Sequence, residues 1–196
     1  MSSLLTEALS LCNLAAGGIF GIVLSAALCE IEWTRRHKLL LVGSTILMLA
    51  LQGVVSLRWG TGLARYLYPL ITHLPLWLLL AAMTRRALWP LVSVLTAYLC
   101  CQLRRWAALL VIALFPAGGT VLQDATELIV TLPILLVLIR WIAPSVRALS
   151  RSPLLLQLQF GMIPLLSYLF DYFTRIYTDL LSSGNQAAVE FMPFVC

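Results

Sequence analysis

The sequence is poor in charge, and this shortage excludes an ordinary soluble domain. Of its 196 residues, eight are acidic and thirteen are basic, so charged residues make up 11% of the chain. Soluble domains carry roughly 25% charged and 45–50% apolar residues, whereas 61% of this chain is hydrophobic and its mean hydropathy is +0.97. So few charges cannot cover the surface of a soluble fold. The lipid bilayer is the solvent that fits this composition.

The sequence also lacks the motifs that would indicate an enzyme. It contains no HExxH zinc site, no GxxxxGK[ST] phosphate loop and no GxSxG nucleophile elbow. The five cysteines lie within or next to apolar runs and none has CxxC spacing, so we interpret them as small core hydrophobes. We therefore predict no catalytic residue, no metal, no cofactor and no enzymatic activity in the chain as given.

Long apolar runs dominate what remains. A helix needs about 20 mostly apolar residues to span the hydrocarbon, and runs of this kind recur along the whole chain. They cover about residues 11–29, 39–57, 66–83, 87–115, 121–142 and 154–173, and another begins near residue 187. The pattern predicts an all-α, polytopic helical bundle with about six or seven hydrophobic segments. We interpret residues 1–196 as one transmembrane domain whose last helix, at about 187–196, is truncated.

The basic residues predict an orientation for this bundle. The net charge of +5 would suggest a nucleic-acid partner in a soluble protein, but here the bases lie between apolar runs. If the polar loop at residues 30–38 is cytoplasmic, three bases fall outside, at positions 58, 65 and 175. Eight fall inside, at positions 35, 36, 38, 85, 86, 140, 147 and 151. We therefore expect the N-terminus outside, the lipid bilayer as partner, and no nucleic acid.

Arg104 and Arg105 do not fit this topology. They interrupt the run at residues 87–115, and an arginine at the bilayer centre costs about 2.5–3.5 kcal/mol on insertion scales. Either they lie inside the bundle, or the run is a bent pair of short helices whose arginines reach an interface. We expect an irregular arrangement that is buried in protein.

Three further ionisable residues lie inside apolar runs and are candidates for ligand contact or switching. His73 lies between Pro69 and Pro75, which should kink or break its helix. The alternative is a neutral His73 bonded to a carbonyl that a proline has freed. Asp124 and Glu127 share one helix face. They could lie at the outer interface, pair with an arginine at 104 or 105, contact a ligand, or belong to an ion path.

Two helix faces carry recognisable patterns. Gly17, Gly21 and Ser25 are spaced by four, which places small residues on one face and allows another helix to approach closely. Near the end of the chain, residues 171–181 alternate as an amphipathic helix that continues out of a span. Asp171 and Asp179 lie on the polar face of this helix, which could border a ligand mouth or lie on lipid. The SSGN stretch should end it, with glycine as the residue after the helix.

Four blocks resemble a known family. They read YPLITHLPLWLLL, WPLVSVLTAYLCCQLRRW, LQDATELIVTLPILL and, as a fourth block in two parts, FDYFTRIYTDLLSSGN with VEFMPFVC. In these blocks the chain resembles the N-terminal membrane half of GHKL-type sensor histidine kinases of Firmicutes, the group related to the accessory gene regulator receptor. The resemblance covers almost the whole chain from the second run onward. It implies the signal-sensing input domain of a two-component quorum-sensing kinase in a bacterial cell membrane.

The resemblance also implies partners, but the sequence lacks the catalytic parts of the family. Family members suggest a homodimer, an extracellular peptide signal by looser analogy, and a response regulator that is reached only through the kinase part. The phospho-accepting helix and the ATP-binding motifs of the family are absent from this sequence, so no catalytic residue is carried over. One competing interpretation is a small transporter or channel lined by His73, Asp124 and Glu127. Another is a peptide-processing membrane enzyme that uses Cys29 and His37.

Overall fold

The chain folds into a bundle of long helices. The structure, a computed structural model, describes residues 2–114 and 119–181, and these contain helices and short connections but no β-strand. The α-helices are α1 (Ser2–Leu28), α2 (Arg35–Tyr68), α3 (Leu74–Thr84), α4 (Leu88–Leu114), α5 (Gly119–Val137), α6 (Ala143–Ala148) and α7 (Leu154–Leu181). Two π-helical turns, Pro69–His73 and Leu138–Ile142, join α2 to α3 and α5 to α6.

Six segments of the described chain are long and apolar enough to cross a membrane. They are Ala8–Leu28, Arg35–Gly60, Tyr66–Thr84, Leu88–Leu114, Val121–Arg151 and Leu154–Thr174. Large apolar side chains on their outer faces are exposed, as lipid-facing surfaces require. The all-α, multi-pass bundle predicted from the sequence is therefore confirmed. The apolar run near residue 187 and the predicted helix stop in the SSGN stretch lie outside the described residues.

Helix α4 occupies the middle of the bundle and packs against α1, α3, α5 and α7. Its length shows that the irregular arrangement expected for residues 87–115 was wrong, because Leu88–Leu114 is one continuous helix. The helix does not have to break, since Arg104 is buried between helices that supply polar partners. An arginine so placed never meets the hydrocarbon, and this removes the cost that motivated the prediction.

The small residues of α1 lie against neighbouring helices, as their spacing predicts. A Cβ added at Gly17 would lie 2.6 Å from an Arg104 guanidinium nitrogen, and one at Gly21 would lie 3.7 Å from the Cys101 sulfur. Ser25 is buried and donates its hydroxyl hydrogen bond to the Gly21 carbonyl, at 2.7 Å. This face of α1 therefore lets α4 approach closely.

Helix α7 also contacts α4 closely. A Cβ at Gly161 would lie 2.7 Å from a methyl carbon of Val92, so only glycine fits at this crossing without a shift. The rings of Trp89 on α4 and Phe160 on α7 stack near it, with centroids 6.3 Å apart. Glycine at the crossing thus fixes how near α7 lies to the central helix.

Helix α2 begins earlier than the sequence suggested. The predicted polar loop at residues 30–38 ends at Thr34, whose hydroxyl accepts a hydrogen bond from the His37 amide at 3.2 Å and caps the helix. Farther along, Gly60 has a positive φ of 87° and marks a kink. The kink allows one element to continue from the span into the segment that leads to the first π-helical turn.

The prolines of the third run produce a π-helical turn rather than a break. Pro75 has no amide hydrogen to donate to the carbonyl four residues back. Immediately before it, the Leu74 amide bonds to the Pro69 carbonyl, five residues back, and Pro69–His73 adopt π geometry. Single π-helical turns occur frequently at functional sites, and this one presents His73 to the bundle interior.

Candidate functional site

A buried polar cluster joins α1, α4 and α5, and we call it the Arg104 cluster. Its members are Asn13 on α1, Arg104 on α4, and Asp124, Glu127 and Thr131 on α5. Arg104 donates to the Asn13 side-chain oxygen at 2.6 Å and to the Thr131 hydroxyl at 2.7 Å, and its guanidinium lies 3.9 Å from the Glu127 carboxylate. The side chains of Arg104 and Glu127 are only 5% and 8% exposed. The sequence candidates 104, 124 and 127 therefore lie together.

Asn13 is the residue that closes the cluster. Its amide nitrogen donates to Asp124 at 2.9 Å and to Glu127 at 2.8 Å, while its oxygen accepts from Arg104. Both amide hydrogens and the carbonyl oxygen are thus used. We did not single out Asn13 from the sequence, although an amide in an apolar run is a usable signal, because membrane interfaces often contain such side chains as interhelical donors.

Glycine makes room for the arginine. The guanidinium occupies the space where a side chain at Gly17 would begin, and it also lies 5.9 Å from the centre of the Phe20 ring. Arg105 is half-buried on the same helix but projects about 100° away, as 3.6 residues per turn require. None of the bonds that define the Arg104 cluster involves it.

The cluster fixes helices against one another. Within a low-dielectric interior, removing one partner of a buried ion pair costs about 3–5 kcal/mol because the other charge stays buried and unpaired. One guanidinium here faces two carboxyl groups and is linked to both, directly to Glu127 and through Asn13 to Asp124. To separate these helices, other polar groups would therefore have to replace several bonds at once.

A second cluster is built from aromatic rings around His73, and we call it the His73 cluster. The ring centroid of His73 lies 4.9 Å from that of Tyr68, 5.2 Å from that of Tyr98 and 5.4 Å from that of Tyr168, all in edge-to-face geometry. His73 Nδ1 and the Tyr168 hydroxyl are 3.1 Å apart. The predicted alternative, a bond from His73 to a carbonyl freed by proline, is not what the structure shows.

The His73 cluster extends along α7. The Tyr98 hydroxyl of α4 donates to the Asp171 carboxylate. Tyr168 contacts Tyr98 edge to face at 4.8 Å and stacks in parallel with Tyr172 at 6.4 Å. Asp171 thus belongs to a site, whereas Asp179 lies on the same helix with a side chain outside the described part of the structure.

The two clusters hold different helices on the same central element. The Arg104 cluster joins α4 to α1 and α5, and the His73 cluster joins α4 to the π-helical turn and α7. Arg104 lies about 24 Å along α4 from its first residue, at 1.5 Å per residue, and Tyr98 lies about 15 Å along it. Polar groups therefore lie in the interior, well away from the loops at the start of α4.

A third polar region lies at the start of α4 and consists of residues 29–34, 85–87 and 149–153. We call it the paired-loop end. Arg151 donates to the Glu30 carboxylate at 2.7 Å through Nε, and Ser150 donates to the same group at 3.2 Å. These hydrogen bonds hold the pKa of Glu30 below its usual range. Arg86 also reaches the Ser150 carbonyl, at 3.3 Å. One exposed ion pair and two part-buried hydrogen bonds therefore hold this end together.

The geometry gives no support to a cysteine nucleophile near the end of α1. Burial raises the pKa of the Cys29 thiol to about 11, and a hydrogen bond with Ser93 opposes this only in part. His37 directs Nδ1 to the Glu32 carbonyl, at 2.7 Å. A reactive cysteine needs a thiolate, which a low pKa provides. Among the side chains that the structure describes, no three of His, Cys, Asp or Glu gather as metal ligands.

Comparison with known proteins adds no relative. No family model matches the chain, and no curated protein or solved structure matches it. The resemblance to the membrane half of sensor kinases therefore stays a prediction from sequence blocks. The function has to be argued from the bundle and its two interior clusters.

Proposed function

We propose that this protein is a membrane-embedded signal-sensing domain, the input part of a two-component sensor histidine kinase. The observation that carries the proposal is the contrast between the two clusters on α4. On one side of α4, the buried guanidinium of Arg104 links it to α1 and α5 through two hydrogen bonds and an ion pair. On the other side, α7 meets α4 through aromatic edges and one hydrogen bond, and it meets the π-helical turn through the pair of His73 and Tyr168. A unit joined by a buried charge, beside a helix whose polar contacts are ring edges and single hydroxyl groups, is an arrangement that can adopt two states.

The His73 cluster is the switch in this proposal. Aromatic pairs contribute about 0.5–1.5 kcal/mol each beyond their buried area, so a ligand of ordinary affinity can offset several of them. The π-helical turn that carries His73 follows a kinked helix, which allows local movement without unfolding a span. Ligand binding would then change how α7 lies on α4, and α7 continues as one helix to Leu181.

Orientation and partners belong to the same proposal. With the paired-loop end in the cytoplasm, the N-terminus is outside and the far ends of α4 and α7 face an extracellular signal, such as a small peptide. The kinase part would act as a homodimer and pass phosphate to a response regulator. The proposal rests on the basic residues at the paired-loop end and on the block resemblance to GHKL-type kinases of bacterial membranes.

A chimera tests the signalling proposal. The chain would be joined to the cytoplasmic core of a GHKL kinase, and autophosphorylation would be measured in membrane vesicles at matched expression. We expect Tyr168→Phe and Asp171→Asn to shift the basal rate in the same direction, because each weakens a hydrogen bond of α7, the first with His73 and the second with Tyr98 on α4. Arg58→Gln, an exposed arginine at the end of a span, is the matched control and should leave the rate unchanged. Equal rates for all four proteins would exclude the proposal.

A small transporter or channel is the second candidate. It is favoured by the presence of Arg104, Asp124 and Glu127 inside the membrane-spanning bundle, since such residues often mark ion pathways. Uptake of a labelled cation or proton into proteoliposomes that is abolished by Glu127→Gln would support it. Signalling by the chimera without any uptake would reject it.

A further inference from the structure

A shallow groove runs along the outer face of α2, next to the paired-loop end. It has a volume of about 600 Å³ and is lined by Arg35, Arg36, Leu39, Leu40, Gly43, Ser44 and Leu47. All seven residues lie on one helix, and the groove lies on its outward face, where Leu39 and Leu47 are each 69% exposed. In a membrane protein such a face meets lipid.

The lining residues form two rows, and each row begins with an arginine. One row contains Arg35, Leu39, Gly43 and Leu47, and the other contains Arg36, Leu40 and Ser44. Residues four apart form ridges on a helix surface, and the space between adjacent ridges is a groove. A Cβ added at Gly43 would meet no atom within 4 Å, so the missing side chain deepens the groove in its middle.

The two arginines are free, unlike other cations at this end. Arg86 donates to the Ser150 carbonyl and Arg151 is paired with Glu30, whereas the side chains of Arg35 and Arg36 make no hydrogen bond or ion pair with any described residue. Both are exposed, directly after the Thr34 cap. They lie at the start of the helix, about 4–6 Å before Leu39 along its axis at 1.5 Å per residue.

We propose that this groove is a binding site for one anionic phospholipid, with the phosphate between the two arginines and an acyl chain over Gly43. The charge complementarity and the apolar lining beyond the arginines support this occupant. Two guanidinium groups fit phosphate oxygens, an interaction that arginine makes through several parallel hydrogen bonds. Leu47 lies about 12 Å beyond Leu39 along the axis, so the apolar part of the groove follows an acyl chain into the hydrocarbon.

The test measures lipid retention by the full chain. The protein would be purified from nanodiscs of phosphatidylglycerol and phosphatidylcholine with identical acyl chains, and the retained lipid counted by native mass spectrometry. We expect one phosphatidylglycerol to be retained preferentially. Loss of each arginine should weaken this preference about fivefold, since a basic residue near an anionic surface contributes about 1 kcal/mol. Arg35→Gln and Arg36→Gln are the variants, and Arg58→Gln is the control.

Two glycine variants distinguish a shaped site for an acyl chain from lipid binding by charge alone. Gly43→Leu fills the groove, whereas Gly53→Leu adds the same side chain to the same helix at a position that also has nothing within 4 Å. Loss of the retained lipid in the first variant alone supports the site. Retention that is unchanged in both the arginine variants and Gly43→Leu would overturn it. Efficient disulfide cross-linking of Gly43→Cys in vesicles would also overturn it, because a second copy would then occupy the groove.

Discussion

The two clusters on α4 differ in the kind of contact that holds them, and therefore in what the loss of one member does. The Arg104 cluster is ionic, and its bonds connect three helices through Asn13, so the loss of one member leaves charges buried without a partner. The His73 cluster is aromatic, and its members meet through ring edges and single hydroxyl groups. The first cluster holds its helices together, and the contacts of the second could be replaced by contacts with a ligand. On this difference we base the proposal that the first cluster provides stability and the second provides the switch.

The largest expected effect is the loss of the central cation. Arg104→Met keeps most of the volume but leaves Glu127 without its ion-pair partner and the side-chain oxygens of Asn13 and Thr131 without their donor. The free energy of unfolding should therefore fall by about 3–5 kcal/mol. Thermal unfolding in detergent micelles would measure the change. Arg58→Met, at an exposed position, should behave like the wild type. A stable Arg104→Met protein would show that the cluster does not hold the helices together.

Gly17→Ala should have the next largest effect. The added Cβ would lie 2.6 Å from the Arg104 guanidinium, and the arginine cannot move aside without stretching its bonds to Asn13 and Thr131. Overpacking of this kind costs about 1–3 kcal/mol. The same unfolding measurement applies, with Gly53→Ala as the control, since a Cβ there meets nothing. Equal stability of the two alanine variants would contradict the close packing.

A smaller effect is expected at the second cluster. Tyr168→Phe removes the hydroxyl beside His73 but keeps the ring contacts, so stability should fall by about 0.5–1.5 kcal/mol, the net contribution of one hydrogen bond. Ser44→Ala removes a hydroxyl that bonds only within its own helix, to the Leu40 carbonyl at 2.7 Å. Urea unfolding of the two variants would compare them. A loss at Tyr168 as large as that at Arg104 would contradict the assignment of roles.

The smallest effect is expected at the paired-loop end. The folded pKa of Glu30 is lowered, chiefly by its hydrogen bonds from Arg151. The pair therefore stabilises the folded state above the ordinary glutamate pKa of about 4.3, and the contribution is lost as the pH falls through the lower folded value. Melting temperatures of the wild type and Glu30→Gln should differ slightly at pH 7 and converge below pH about 4. A difference that grows toward acid pH would be incompatible with this sign.

Much of this fold could be predicted from the sequence, because hydrophobic length fixes the number of spans. The six apolar runs became six candidate spans, and the four-residue spacing of Gly17, Gly21 and Ser25 indicated the face that α4 approaches. The path of residues 87–115 could not be predicted. Its regularity depends on partners for Arg104 that come from α1 and α5, more than 20 residues away along the chain.

The sites were predicted only in part for the same reason. His73, Asp124 and Glu127 were recognisable as ionisable residues within apolar runs. No sequence pattern indicates that Asp124 and Glu127 share Asn13 or that three tyrosines surround His73. Such groupings depend on helix rotation and crossing, which packing decides.

The central claim is that α7 moves on a fixed unit of α1, α4 and α5. Pulsed electron paramagnetic resonance in nanodiscs tests it most directly, with spin labels at exposed positions. One pair, at Leu166 and Leu132, measures α7 against α5, and the other, at Ile19 and Leu132, measures α1 against α5. In His73→Ala, we predict a shifted or broadened distance distribution for the first pair and an unchanged one for the second. Two unchanged distributions, or a change only between α1 and α5, would contradict the account.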